Sequence, residues 1–328
     1  RIEGTPSIDQ AAAAAHAKAV AARMSKGVAS LLKSGRVRVI QGTGRLAAAG
    51  RVEVGTDAVI ESGKVVLATG ARPAPLPGAP FDGERIISST EALFLEKAPG
   101  RLVIVGAGAI GMEFAYYYSV AGSAVTAVEA LPSILPFSDP EAARLVARIM
   151  KRRGVECLAG ARVEEVARAG GGVAVRVSAG GEARTIEADM VLVAIGVHPN
   201  TDGLWDPSLG IGMQGRFVKV DSHCMTTVPG VYAIGDLSGL PLLAHKASHE
   251  GILAAEHAAG RDTEPRDAAC QPGVVYCQPQ VGQVGMTEAE AAAAGIEVTI
   301  GRYPFLASGM AQAAAEPDGF VKLVFSKA

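Results

Sequence analysis

Two hydrophobic periodicities alternate along the chain. Residues 101–105 and 123–128 are short, nearly continuous apolar runs, whereas 110–121 repeats its apolar positions at helical spacing. That pattern predicts a buried strand, a helix and a second buried strand. Upstream, Val20, Met24, Val28, Leu31 and Leu32 recur at helical spacing, which predicts a helix over 8–34, capped by Ser7 and ended by Gly35. Residues 36–41 and 51–54 alternate as strands joined through Gly42 and Gly44, a small β-meander, and 64–68 is a buried strand that ends at Thr69-Gly70-Ala71. The proline-rich stretch 72–80 marks a boundary.

Downstream, Asp139 opens an amphipathic helix with Pro140 in its first turn and Gly154 at its end, and 155–158 follows as a strand. Strands are then expected at 163–167, 173–177, 184–187 and 190–195. A further region starts near Phe217 and carries a strand at 231–234 and a helix over 246–259. From Gln271 onward, strands at 273–276 and 320–325 flank a helix over 288–294. Strands alternating with helices imply an α/β fold, a doubly wound Rossmann-like parallel sheet with right-handed crossovers.

At 328 residues the chain has room for two or three domains. Its net charge of −2 gives no electrostatic footprint for nucleic acid or an anionic membrane. The apolar stretch 102–131 contains Glu113, Glu129 and several glycines, so it does not read as a membrane span. The chain begins Arg1-Ile2-Glu3-Gly4 and stops just after a strand, and is therefore expected to be a fragment. Cys157, Cys224, Cys270 and Cys277 are scattered, which points to free thiols in a reducing cytoplasm. No metal is expected, because His16, His198, His223, His249 and His257 lack ligand spacing.

The chemistry begins at Gly106-Ala107-Gly108-Ala109-Ile110-Gly111. A Gly-x-Gly-x-x-Gly alone is weak, but here it directly follows a strand and opens a helix, the context its mechanism requires. Gly106 permits the tight turn, Gly108 lets the backbone approach a pyrophosphate, and Gly111 allows close helix–strand contact. The helix N-terminus would receive the negative charge. Glu129 ends the next strand, 18 residues beyond Gly111, where a carboxylate accepts ribose hydroxyls and repels a 2′-phosphate. NAD is therefore expected rather than NADP. Glu113, early in the helix, reads on its own equally well as a carboxylate favoured by the helix dipole.

Several segments together resemble the two-dinucleotide flavoprotein disulfide reductases. They are Ala68-Thr69-Gly70, Gly106 to Gly111 with Glu113, Ala194-Ile195-Gly196-Val197-His198-Pro199-Asn200, and Val231-Tyr232-Ala233-Ile234-Gly235-Asp236. Within that group the chain is most similar to the dihydrolipoamide dehydrogenase family. The stretches that carry this are Leu242-Leu243-Ala244-His245-Lys246-Ala247, Gly273-Val274-Val275-Tyr276, Val284-Gly285-Met286-Thr287-Glu288 and Tyr303-Pro304-Phe305-Leu306-Ala307.

The resemblance implies FAD beside NAD. It assigns Asp236 to the flavin ribityl chain, Leu242, Leu243, Ala244 and His245 to the isoalloxazine, and Thr69, Gly70, Ala71 and Gly44 to further flavin contacts. Val163 and Gly196 would touch NAD, and Glu113 would pair with a lysine near the flavin, upstream of this chain. It implies a redox relay from dihydrolipoamide through an active disulfide and FAD to NAD. The implied partners are a second identical subunit and the lipoyl domains of a 2-oxoacid dehydrogenase complex. It also implies the organisation: a partial FAD-binding domain at 1–95, an NAD-binding domain at 96–216, a return to the FAD domain at 217–265 and a partial interface domain at 266–328.

The departures are a redox Cys-x-x-x-x-Cys pair, a first Gly-x-Gly-x-x-Gly and a C-terminal His-Pro base, none of which occurs in these 328 residues. Cys270 and Cys277 have the wrong spacing. His245 and Glu250 have the spacing of the missing His–Glu pair, but no Pro follows His245, so the match is read as coincidence. Val197 stands where many relatives have Arg. Two alternatives stay open: another disulfide reductase of the glutathione or mercuric type, and a catalytically incomplete NAD-binding fragment.

Overall fold

In the computed structural model, which describes residues 7–56, 58–267 and 270–327, the run Arg101–Val105 is the middle strand of a five-stranded parallel sheet. Its neighbours are Met190–Val193 and Ala124–Glu129, followed outward by Ile86–Ile87 and Glu156–Ala159. Side chains alternate across a strand, and the sequence uses that alternation fully. Leu102 and Ile104 face one way, into a core with Met112, Ala115 and Tyr118 of the helix Ala109–Val120 and Val146 and Met150 of the helix Pro140–Arg152. Val103 and Val105 face the other way, onto Val173, Val175 and Val177 of an antiparallel sheet. That second sheet is Ala161–Ala169, Gly172–Ala179 and Glu182–Ala188. A strand buried on both faces must be apolar throughout, which is why its sequence signal is strong.

The chain forms two compact units. The first contains residues 1–18, 75–196 and 272–328; the second contains 19–74 and 197–271. These divisions differ from the segments expected from sequence for physical reasons. Ile86–Ile87 pairs with Met190–Val193, which draws residues before 96 into the parallel sheet. Val197–Pro199 pairs with Ala71–Pro73, which draws residues after 196 out of it. Residues 272–328 contribute Val275 and Cys277 to the core beneath the helix Ala109–Val120.

In the second unit, Val65–Leu67 and Val231–Ala233 pair in parallel. Their core includes Leu46, Leu237 and Val218. Leu46 comes from the antiparallel sheet Gly44–Ala48, Arg51–Val54 and Ala58–Glu61.

Several local expectations are corrected. The first helix runs Gln10–Ser34 and is capped by Asp9, whose Oδ1 accepts from Ala12 N at 2.9 Å, rather than by Ser7. Residues 36–41 are irregular, with Val37, Val39 and Ile40 exposed; the alternation there has no sheet face to serve. The meander instead starts at Gly44, and its third strand, Ala58–Glu61, lacks a large apolar run. Val298–Pro304, which pairs along its whole length with Phe320–Ser326, carried no clear signal. The strand, helix and strand over 102–131 form as read, and no helix among the described residues is long and apolar enough to cross a membrane.

Candidate functional site

The Gly106–Gly111 turn is shaped by sterics. Gly106 has φ +97, and a Cβ on it would lie 2.4 Å from the Ala194 carbonyl oxygen. A Cβ on Gly111 would lie 1.9 Å from the Gly106 carbonyl oxygen. Both positions are therefore glycine for reasons internal to the fold. Gly108 is different. It is the N-cap of the helix, at φ −73, no side chain caps it, and a Cβ there would meet nothing within 4 Å. The space beside Gly108 is open, at a helix N-terminus whose first N–H groups lack intrahelical partners.

Glu129 is 8 % exposed, and its carboxylate is already at work. Oε2 accepts from Ala107 N at 2.8 Å and Oε1 from Leu131 N at 2.9 Å, so it ties the glycine turn to the chain leaving the strand. A carboxylate has about four lone-pair sites, so two remain for ribose hydroxyls. The site fits NAD on both counts. Val163 is half-buried against the antiparallel sheet's core, beside a register shift between Val163 and Glu165. Gly196 is exposed at φ +116. Ala107 is wholly buried, while Ala109 and Ile110 are exposed at the helix start. Glu113 is half-buried, and its Oε1 accepts from Tyr276 N at 2.8 Å. That contact, not read from sequence, brings the segment 272–328 to the helix behind the glycine turn.

The second unit gathers most of the other expected residues at the carboxyl ends of its parallel pair. Leu67 leads to Thr69-Gly70, with Gly70 at φ +65, and Ala233 leads to Gly235-Asp236, with Gly235 at φ +70. Ile234 N donates to Leu67 O at 3.0 Å and so joins the two exits. Open α/β sheets bind ligands at such carboxyl ends. Asn200 braces the first exit, since its Nδ2 donates to Thr69 O and Thr69 Oγ1 donates to Asn200 O, both at 2.9 Å. Asp236 sits half-buried on the single 3-10 turn Gly235–Leu237. Leu242 and Leu243 are half-buried, and Ala244 and His245 are exposed at the start of the helix Ala244–Ala258. Gly44 opens a strand of the antiparallel sheet, paired with Val54, and no bond among the described residues brings it to these exits.

Glu250, set aside in sequence as a chance match, is fully buried against Lys246, which is 2 % exposed. Its carboxylate is engaged by Gly235 N, Ser238, Lys246 and Arg266. The Lys246–Glu250 spacing of four on one helix face was the available signal.

The four cysteines are free. Burial pushes the thiols of Cys157, Cys224 and Cys277 up to about 11, so they are protonated at neutral pH. Cys270 is exposed, and the Asp267 side chain raises its value as well.

A family model described as pyridine nucleotide-disulphide oxidoreductase matches residues 2–251, and its dimerisation domain matches 271–328. The chain is 41% identical over 330 residues to a dihydrolipoyl dehydrogenase of Chlorobaculum tepidum, spanning 99% of this chain and 70% of that protein. A dihydrolipoyl dehydrogenase of Rhizobium etli is 36% identical over 346 residues, spanning 99% and 72%. Among solved structures, LpdA from Mycobacterium tuberculosis superposes with a TM-score of 0.90 at 32% identity, over 98% of this chain and 72% of that one. The HOCl-induced flavoprotein disulfide reductase RclA from Escherichia coli gives 0.79 at 25% identity, over 97% and 77%.

Proposed function

Because the chain belongs to the pyridine nucleotide-disulphide oxidoreductase family, an enzyme family that works with FAD and NAD(H), we propose that it serves a dihydrolipoyl dehydrogenase reaction. The substrate would be protein-bound dihydrolipoamide and the final acceptor NAD. The observation that carries the nucleotide half is Gly108, a glycine that the fold does not need, at the mouth of a helix N-terminus. In this reading the backbone of Gly106 to Gly111 holds the pyrophosphate. Glu129 holds the adenosine ribose and disfavours a 2′-phosphate. Val163 and Gly196 flank the same ligand. Glu113 supports the site by anchoring the main chain at Tyr276.

The exits at Thr69-Gly70-Ala71 and Asp236, with Leu242 to His245 and Gly44, would hold FAD. The Asp236 carboxylate, without a partner among the described residues, would take a hydroxyl chain, and positive-φ glycines let backbone approach closely at both exits. The chemistry FAD supplies when bound is two-electron transfer between a dithiol and the nicotinamide. The identity to dihydrolipoyl dehydrogenases supports lipoamide over other disulfides. By the same reading the partners are a second copy of the chain, through the segment matching the dimerisation domain, and lipoyl domains of a 2-oxoacid dehydrogenase complex.

A second reading has its own observation. These residues contain no Cys-x-x-x-x-Cys pair, and the thiols of Cys157, Cys224 and Cys277 are held protonated. The chain alone would then bind NAD without holding flavin or turning over dithiol. The visible spectrum of the purified chain, with NADH titrated by fluorescence, separates the two. Bound flavin together with NADH binding is the expected result. A colourless chain that binds NADH would leave only the nucleotide half standing. Dihydrolipoamide turnover by this chain alone would overturn the second reading.

A further inference from the structure

Gly235 is held on both sides of its peptide by charged groups that no solvent reaches. Its N–H donates to Glu250 Oε2 at 2.8 Å, and its carbonyl accepts from Lys246 Nζ at 3.0 Å. Lys246 Nζ also donates to Gly239 O at 2.8 Å and to Ser238 Oγ at 3.2 Å. Ser238 Oγ in turn donates to Gly235 O at 2.9 Å and lies 3.2 Å from Glu250 Oε2. The Lys246 and Glu250 charges stand 3.3 Å apart, and Arg266 closes the cluster on the other carboxylate oxygen. Lys246 Nζ and Glu250 Oε2 are thus both bound to the turn 235–239.

Asp236, the next residue, is treated in the opposite way. Its side chain is half-buried and makes no hydrogen bond or ion pair among the described residues. A buried ion pair is expensive to desolvate and is a poor source of net stability. Its use here is geometric. The helix that starts at Ala244 carries Lys246 and Glu250, so the cluster fixes that helix start and the Asp236 turn as one body.

We propose that Lys246 and Glu250, backed by Arg266, are positioning residues that hold the Asp236 carboxylate ready to accept hydrogen bonds from a polyhydroxyl chain. This rests on the flavin reading above, in which that chain is the ribityl chain of FAD. The residues touch no reacting atom; they act through the turn.

The test is FAD titration of the purified chain, read by flavin fluorescence quenching, beside thermal unfolding without ligand. The double variant Lys246→Met with Glu250→Met removes the pair and leaves the Gly235 N–H and Arg266 without their partner, so its unfolding midpoint should fall. At a temperature where it is folded, its FAD dissociation constant should rise at least about tenfold. Asp236→Asn should weaken FAD to a similar degree, and NADH affinity should hold in both. Parental FAD affinity in a folded double variant would overturn the proposal and leave the flavin reading intact. A parent chain that takes up no FAD would overturn both. Should the double variant fail to fold, Arg266→Gln at the rim of the cluster decides: a rise of about threefold supports the role, and no change overturns it.

Discussion

Two turns leave buried strands in this chain, and they are built by opposite means. After Arg101–Val105 the chain turns on Gly106 and Gly111, where the determinant is the absence of atoms. After Val231–Ala233 it turns on Gly235, where the determinant is a buried lysine, a buried glutamate and an arginine. The first kind of turn is a local fact and is written in one hexapeptide. The second is assembled from residues 11, 15 and 31 positions beyond Gly235 and so has no short signature. A turn after a buried strand can thus be fixed by sterics that a motif records or by charges that a motif omits.

The sharpest way to break the comparison is Glu250→Ala. It leaves Lys246 and Arg266 facing each other beside an unanswered Gly235 N–H, and should lower stability by about 3–5 kcal/mol. Denaturant titration measures this, and a loss under about 1 kcal/mol would show that charge does not hold the turn.

Gly111→Ala should follow closely. Its new Cβ meets backbone oxygen at 1.9 Å, so the loss should reach about 3 kcal/mol. Gly108→Ala is the matched control. With open space at the Cβ, stability should change by less than about 1 kcal/mol. NADH affinity, measured by fluorescence titration, should nevertheless fall about tenfold, or roughly 1.4 kcal/mol. Unaltered affinity in Gly108→Ala would show that no ligand lies against Gly108.

The smallest effect concerns a second charge cluster. Lys322 lies 2.7 Å from Asp139, 3.4 Å from Glu141 and 2.5 Å from Glu288. Burial acts to raise the Asp139 value, but hydrogen bonds from Lys322 and from the Glu141 and Ala142 backbone outweigh it and hold the carboxyl below its ordinary range. A carboxyl lowered in the folded state stabilises above its unfolded pKa near 3.9, and the benefit is lost as pH falls toward and through the folded value. Asp139→Asn should therefore flatten the acid limb of the stability profile below about pH 4. The loss at neutral pH should be about 1 kcal/mol, largely the ion pair with Lys322, because an Asn still caps Glu141 N. An unchanged acid limb would exclude this group from acid unfolding.

What could be read from sequence follows the same division. The strand, helix and strand around Gly106 were legible because both faces of the sheet are buried and every register position must be apolar. The cap at Asp139 with Pro140 was legible because it is a local bond. Residues 36–41 were misread because alternation signals a strand only when a sheet face receives it. Ala194 is required by Gly106 yet unremarkable in sequence, since its role is the position of a carbonyl. Tyr276 reaches Glu113 through its main chain, which no side-chain pattern records.

The bond from Tyr276 to Glu113 spans 163 positions, and those joining Thr69 with Asn200 span 131. During synthesis the βαβ around the glycine turn emerges whole, with its contacts close in sequence. The strand Val65–Leu67 must by contrast wait for Val231–Ala233 to leave the ribosome. Contacts so distant slow folding through the entropy of closing the loop between them. The βαβ around the glycine turn is therefore expected to be structured on the nascent chain before Val65–Leu67 has its partner strand, and its bond to Tyr276 is expected to form after both.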